Sequence, residues 1–119
     1  MSNEHFGAYI RQRREAKFKQ DKAFSLRQVA KRLGIQPSYL SKIERGDESP
    51  PTEPRIRDLA RELDEDPDVL LALAGKVSSD LQEIVRRRPK LMGELLRQLK
   101  TLPDHAVLRI VREVRDGDW

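Results

Sequence analysis

Between Ser25 and Gly46 the sequence SLRQVAKRLGIQPSYLSKIERG places short polar and cationic side chains on one side of an apolar stripe. Ser38, Tyr39, Ser41 and Lys42 face away from Leu40 and Ile43, and no acidic residue stands in that stretch before Glu44. Hydroxyls and an ammonium free of bulky apolar neighbours suit hydrogen bonding to a polar, anionic surface. The major groove of duplex DNA is about 12 Å wide and admits one α-helix, whose first turns then reach the base edges. Two elements must hold such a face in place. Ser25 with Gln28 three residues later reads as a capping box that opens a helix. Leu26, Val29, Ala30 and Leu33 give that helix an inward side, and Gly34 supplies its left-handed end. Only Ile35 and Gln36 separate Gly34 from Pro37, a favoured first-turn residue, so another helix over about Pro37–Glu44 follows at once.

The 119-residue chain carries 24 Lys and Arg against 20 Asp and Glu, a formal net charge of +4, and this small excess is unevenly spread. Residues 1–46 hold 11 basic and 4 acidic side chains, residues 47–75 hold 3 and 9, and residues 76–119 hold 10 and 7. A basic block around the helix pair is the electrostatic footprint of a polyanion binder. Catalysis finds little to work with. The absence of Cys removes thiolate zinc sites, disulfides and Cys nucleophiles, and agrees with a reducing cytoplasm. His5 and His105 are too far apart in sequence for metal-ligand spacing. Asp64, Glu65, Asp66 and Asp68 lack the central glycine and distal glutamate of a calcium loop. The six glycines are isolated, so no phosphate-cradling loop is present. No metal, no cofactor and no enzymatic activity are expected. No apolar run approaches the roughly 20 residues that span a bilayer, and the N-terminus lacks the charged start and apolar core of a signal peptide.

Strand signals are scarce and helical spacing covers the rest of the chain. Phe6, Tyr9 and Ile10 predict a first helix over about residues 4–17, whereas Phe18–Phe24 predicts an extended loop, the alternative being one further turn of that helix. Thr52 as N-cap predicts a fourth helix to about Leu63, with Ile56, Leu59, Ala60 and Leu63 inward. Asp66-Pro67 starts a fifth, with Val69, Leu70 and Leu73 inward and Gly75 at its end. The fold class is therefore all-α, with one five-helix domain over residues 1–75. Beyond it, Ser78–Arg88, Pro89–Lys100 and Pro103–Arg115 read as a C-terminal helical region over residues 76–119. Leu91, Leu95, Leu99 and Leu102 recur at spacings of three and four, and Val107, Ile110, Val111 and Val114 do so on the next helix. Three such helices cannot cover these faces alone. They are expected to form a homodimer interface, the alternatives being a return onto the first domain or the binding of a different protein.

The run Ser25–Gly46 resembles the helix-turn-helix of the lambda-repressor-like (XRE) family of bacterial and phage regulators. The resemblance is carried by Val29-Ala30, by Gly34 at the turn, and by the segment Tyr39-Leu40-Ser41-Lys42-Ile43-Glu44-Arg45-Gly46. IRQRRE (Ile10–Glu15) and Pro50–Leu63 match the first and fourth helices of the same family, so the resemblance covers about residues 4–75. It implies a five-helix lambda-repressor-like DNA-binding domain. It also implies base contacts from Gln36, Pro37, Ser38, Ser41 and Lys42, and DNA backbone contacts from Arg27, Gln28, Tyr39 and Arg45. Arg14 and Glu44 match a salt bridge that locks the first helix to the third. Two departures stand out. Leu26 occupies a position where many relatives carry a backbone-clasping Gln, which shifts that contact to Arg27 or Gln28. The Lys17–Phe24 loop is longer than the usual form, and its Lys19 and Lys22 are expected to add phosphate contacts. The expected function is sequence-specific binding of double-stranded DNA for transcriptional control, as a repressor acting as a homodimer on a two-fold-related operator. The alternative is an antitoxin-like or protease-regulated interaction protein whose C-terminal helices bind a different protein.

Overall fold

The computed structural model describes residues 3–119 and, among them, contains eight α-helices and no strand. The first two positions of the expected 1–75 domain lie outside the described residues. The helices are α1 (Asn3–Phe18), α2 (Leu26–Leu33), α3 (Pro37–Arg45), α4 (Glu53–Leu63), α5 (Pro67–Leu73), α6 (Ser79–Arg87), α7 (Pro89–Leu99) and α8 (Asp104–Asp116). The chain divides into two units, one up to Ser78 and one over Ser79–Trp119.

In the first unit each helix contributes one apolar stripe to a shared core. Phe6 and Ile10 come from α1, Val29 and Ala30 from α2, and Leu40 and Ile43 from α3. Ile56, Leu59, Ala60 and Leu63 come from α4, and Leu70 and Leu71 from α5. The α5 register corrects the sequence expectation: Leu71 is buried and Val69 is 44% exposed. Val69–Leu73 is apolar throughout, so periodicity alone had no polar position with which to fix the inward face. Across the unit, Tyr9 Oη donates to Glu65 Oε1 at 3.0 Å, which raises the phenol above its ordinary pKa, and Arg13 pairs with the same carboxylate at 2.5 Å.

The segment after α1 is not an extended loop. Lys19 N–H donates to Glu15 O and Asp21 N–H to Lys17 O, so the chain leaves α1 through a tight turn. Asp21 then accepts from Ala23 N–H at 2.9 Å and caps a short 3-10 helix over Lys22–Phe24. The Phe24 ring lies under two cations, with Lys17 Nζ and Arg32 Cζ at 5.3 and 5.2 Å from its centroid. These contacts knit the basic loop to α1 and α2. They also change the cap of α2. Ser25 Oγ accepts from Gln28 N–H at 3.2 Å, but Ser25's own N–H donates to Lys22 O, so only half of the expected capping box forms. At α4, Thr52 is the N-cap residue but makes no side-chain cap bond, and Pro54 at the second helical position removes one of the two N–H groups such a bond could use.

The second unit is built differently. Among its described residues no side chain of α6, α7 or α8 is buried. Leu81, Ile84 and Val85 of α6 are exposed, as are Leu91, Leu95 and Leu96 of α7 and Leu108, Val111 and Val114 of α8. Leu99, Val107 and Ile110 are half-buried. Leu102 departs from its expected place on the α7 face. The helix ends at Leu99 and Leu102 lies in the connection, its N–H bonded to Leu99 O. Pro103 follows it, and the residue before a proline is driven out of the helical region. Pro103 is itself the N-cap residue of α8 rather than its first-turn residue.

Candidate nucleic-acid interface

The pairing of α2 with α3 depends on a reversal that few residues tolerate. Gly34 takes φ 71°, ψ 31°, and its N–H and that of Ile35 return to Lys31 O and Ala30 O at 3.1 and 3.0 Å. A side chain in that left-handed conformation is strained, which suits glycine. Gln36 follows as the N-cap residue of α3, but its side chain makes no cap bond and is exposed. Pro37 fixes the first turn.

The outward face this produces is largely polar and open. Gln36, Ser38 and Lys42 are exposed, and Pro37 and Ser41 are half-buried. Arg27 and Gln28 are exposed on the first turn of α2. Tyr39 differs from the outward placement expected of it: its ring is half-buried and packs against the core edge. Lys19 and Lys22 are exposed on the turn and the 3-10 helix beyond α1. Arg45 is exposed at the end of α3 and pairs with Asp47 at 3.2 Å. Among the described residues, Lys19, Lys22, Arg27 and Lys42 enter no ion pair, so their charge is free for an anionic ligand.

The one acid in α2 and α3, Glu44, is neutralised internally. Arg14 Nε and Nη2 donate to Glu44 Oε2 and Oε1 at 2.7 and 3.0 Å, a bidentate pair between α1 and α3. Arg14 Nη1 donates to the carbonyl of Phe24 at 3.1 Å, tying the basic loop into the same joint. Arg14 and Glu44 are only 8% and 6% exposed, so their interaction is little screened by solvent. The outer face of the helix pair thus carries cations without an exposed carboxylate.

Two residues of this region were not singled out by motif reasoning. Gly7, buried on α1, lies against the last turn of α3: a Cβ there would overlap the Ile43 carbonyl oxygen and come within 2.8 Å of Glu44 O. Arg11, exposed on α1, lines open clefts with Arg45 on α3. It donates to Glu15 at 2.9 Å, and that hydrogen bond holds the Glu15 carboxyl below the usual carboxylate range. A glycine inside an otherwise regular helix was a usable signal, since it costs about 1 kcal/mol against alanine and so calls for a packing reason. Arg11 carries no comparable sequence signal.

Lys42→Ala is expected to cost about 1–3 kcal/mol on a cognate site and to relax preference at one base pair, with a smaller loss on random duplex. Competition binding against single-base variants of a selected site measures this; an equal loss on specific and random DNA would move Lys42 to the phosphate-contacting set.

Compared with known families, residues 5–73 match a family described as a helix-turn-helix domain. No curated protein and no solved structure matches the chain. Among the described residues no helix is long and apolar enough to cross a membrane, and no cluster of His, Cys, Asp and Glu has the arrangement of a metal site.

Proposed function

Because the chain belongs to the helix-turn-helix domain family, we propose that it is a sequence-specific transcriptional regulator of the lambda-repressor-like (XRE) type. It acts in the cytoplasm as a repressor, without catalysis, and as a homodimer on a two-fold-related operator. The observation that carries this reading is the outer face of α3, where Gln36, Ser38 and Lys42 stand exposed on a helix whose one carboxylate is buried and paired. Such a face enters the major groove without repelling phosphate, and presents donors and acceptors to base edges.

The dimer rests on two supports. A single DNA-binding module buries about 600–1,000 Å² and reads few bases, so two modules on a two-fold site raise specificity economically. The second support is the tail. Helices α6, α7 and α8 have nine, eleven and thirteen residues, and isolated helices shorter than about 12–15 residues are marginal in water. With Leu91 63% and Val114 62% exposed, their apolar faces call for a cover that a second copy supplies. The same faces favour a second reading, in which an antitoxin-like or protease-regulated protein uses them to hold a different protein.

Selection of bound genomic fragments followed by light scattering on the free and DNA-bound protein tests both readings. The full chain is expected to be a dimer that selects a palindromic site. A chain truncated after Ser78, which keeps the whole buried core, is expected to fold as a monomer and to lose far more affinity for the operator than for random duplex. A folded truncation that still dimerises would place the interface on α1–α5. A monomeric full-length chain would favour the second reading.

A further inference from the structure

We propose that the polar side of the α6–α7 segment is a second DNA-contacting surface, which holds the phosphate backbone of a duplex beyond the site that α3 is proposed to read. The proposal rests on the DNA-binding reading above and extends it to the tail. The positive charge of the tail is concentrated in this segment. Residues 86–100 hold six basic side chains and one acidic, whereas the rest of residues 76–119 hold four basic and six acidic. Arg86, Arg87, Arg88, Lys90, Arg97 and Lys100 are all exposed. Arg86 and Arg87 share the Glu83 carboxylate at 3.5 and 3.9 Å, long contacts between exposed groups that contribute little and yield readily to another anion. Among the described residues, Arg88, Lys90, Arg97 and Lys100 enter no ion pair.

Helix stability accounts for only part of this charge. Cations at a helix C-terminus are favoured by the macrodipole, which explains Arg86 and Arg87 in the last turn of α6. The start of α7 is the opposite case. There Arg88 is the N-cap residue and makes no cap bond, Lys90 follows Pro89, and no acidic residue stands in the first turn. Positive charge at that end opposes the dipole, so its counterpart is an anion from outside the helix. At 3.6 residues per turn, Lys90 and Arg97 stand opposite the stripe of Leu91, Leu95 and Leu99, with Lys100 on the same side. A partner that covers the apolar stripe therefore leaves these three cations open. They extend over about 15 Å of helix, and a duplex presents one negative charge per about 1.7 Å of its axis. No aromatic residue lies within 86–100 to stack on an unpaired base, which favours the backbone of a duplex over a single strand. Since both units belong to one chain, a duplex bound by the first is at high effective concentration for the second.

The test uses the full chain, the variant Lys90→Gln/Arg97→Gln/Lys100→Gln, and a control with the same loss of charge on α8, Arg109→Gln/Arg112→Gln/Arg115→Gln. Each is titrated with a selected site trimmed to its palindrome and with the same site extended by about one helical turn, roughly 10 base pairs, on either side. The wild type is expected to bind the extended duplex about tenfold more tightly. Its log–log salt slope there is expected to be steeper by roughly 2–3 per protomer, about 0.9 for each of three phosphate contacts. The α7 variant is expected to bind both duplexes alike, at the wild-type affinity for the trimmed site, whereas the α8 control keeps the gain. If extension adds nothing for a wild type that binds the trimmed site, the second surface is refuted and the DNA-binding reading stands. Equal losses in the α7 variant and the α8 control would reduce the effect to net charge and refute it too. Loss of self-association in the α7 variant, read by light scattering, would assign these cations to the assembly of the tail and overturn the proposal. A variant that keeps the gain on the extended duplex but is no longer retained on phosphatidylglycerol vesicles would make the ligand a lipid surface instead. A wild-type chain that binds no duplex would overturn the DNA reading, and the second surface with it.

Discussion

Replacing Arg14 by alanine is expected to cost about 3–5 kcal/mol of folding stability, because it strands the Glu44 carboxylate without its partner inside the unit. Arg14 is 8% exposed and uses Nε, Nη1 and Nη2, two toward Glu44 and one toward the Phe24 carbonyl. Its removal therefore leaves a buried carboxylate on α3 and a part-buried carbonyl on the basic loop without this donor. Urea denaturation of the single variants and of the pair Arg14→Met/Glu44→Leu separates the terms. The double variant, which removes both charges and fills similar volume, is expected to recover most of the loss. A loss below about 1 kcal/mol for Arg14→Ala would mean that water reaches Glu44 and that the pair behaves as a surface bridge.

Gly7→Ala is the second large effect, and its sign runs against helix propensity. In an open helix the substitution stabilises by about 1 kcal/mol. Here the new methyl meets main-chain carbonyls of Ile43 and Glu44, which cannot rotate away as a side chain would. Either α1 or the last turn of α3 must move, and overpacking of this kind costs about 1–3 kcal/mol or more. The expected net result is destabilisation by about 2 kcal/mol, with a loss of operator affinity beyond what the unfolded fraction explains, since α3 carries the residues proposed to face the bases. Gly7→Val is expected to be worse. Stabilisation by Gly7→Ala would show that α1 and α3 have room to separate.

The sequence made the helix-turn-helix legible because its boundaries are fixed by chemistry that acts within a few residues. Ser25, Gly34, Pro37 and Gly46 each punctuate a helix for a local reason, and the structure places them at the ends of α2 and α3. Failures occurred where the decisive contact is distant in sequence or where the pattern is uniform. The folded basic loop depends on Arg14 reaching Phe24 and on Arg32 stacking over it, neither of which periodicity can register. The α5 register was lost in an unbroken apolar run. Leu102 kept its heptad-like spacing after the helix had ended, and the proline behind it was the stronger signal. At the site, side-chain type and spacing indicated which residues of α3 stand outward. They could not indicate that Tyr39 leans onto the core, because an amphipathic ring suits either place, nor that Arg11 borders the same cleft as Arg45.

The lack of any buried side chain in α6–α8 has a thermodynamic consequence. A unit whose apolar faces are covered only by another chain has no fixed stability of its own. Its melting temperature rises with the concentration of the covering partner by mass action. For a self-associating regulator, copy number would then set two quantities at once: how many molecules are available to occupy an operator, and what fraction of them possess an ordered tail. Dilution, as in a growing cell that has stopped making the protein, would remove active dimers faster than it removes chains.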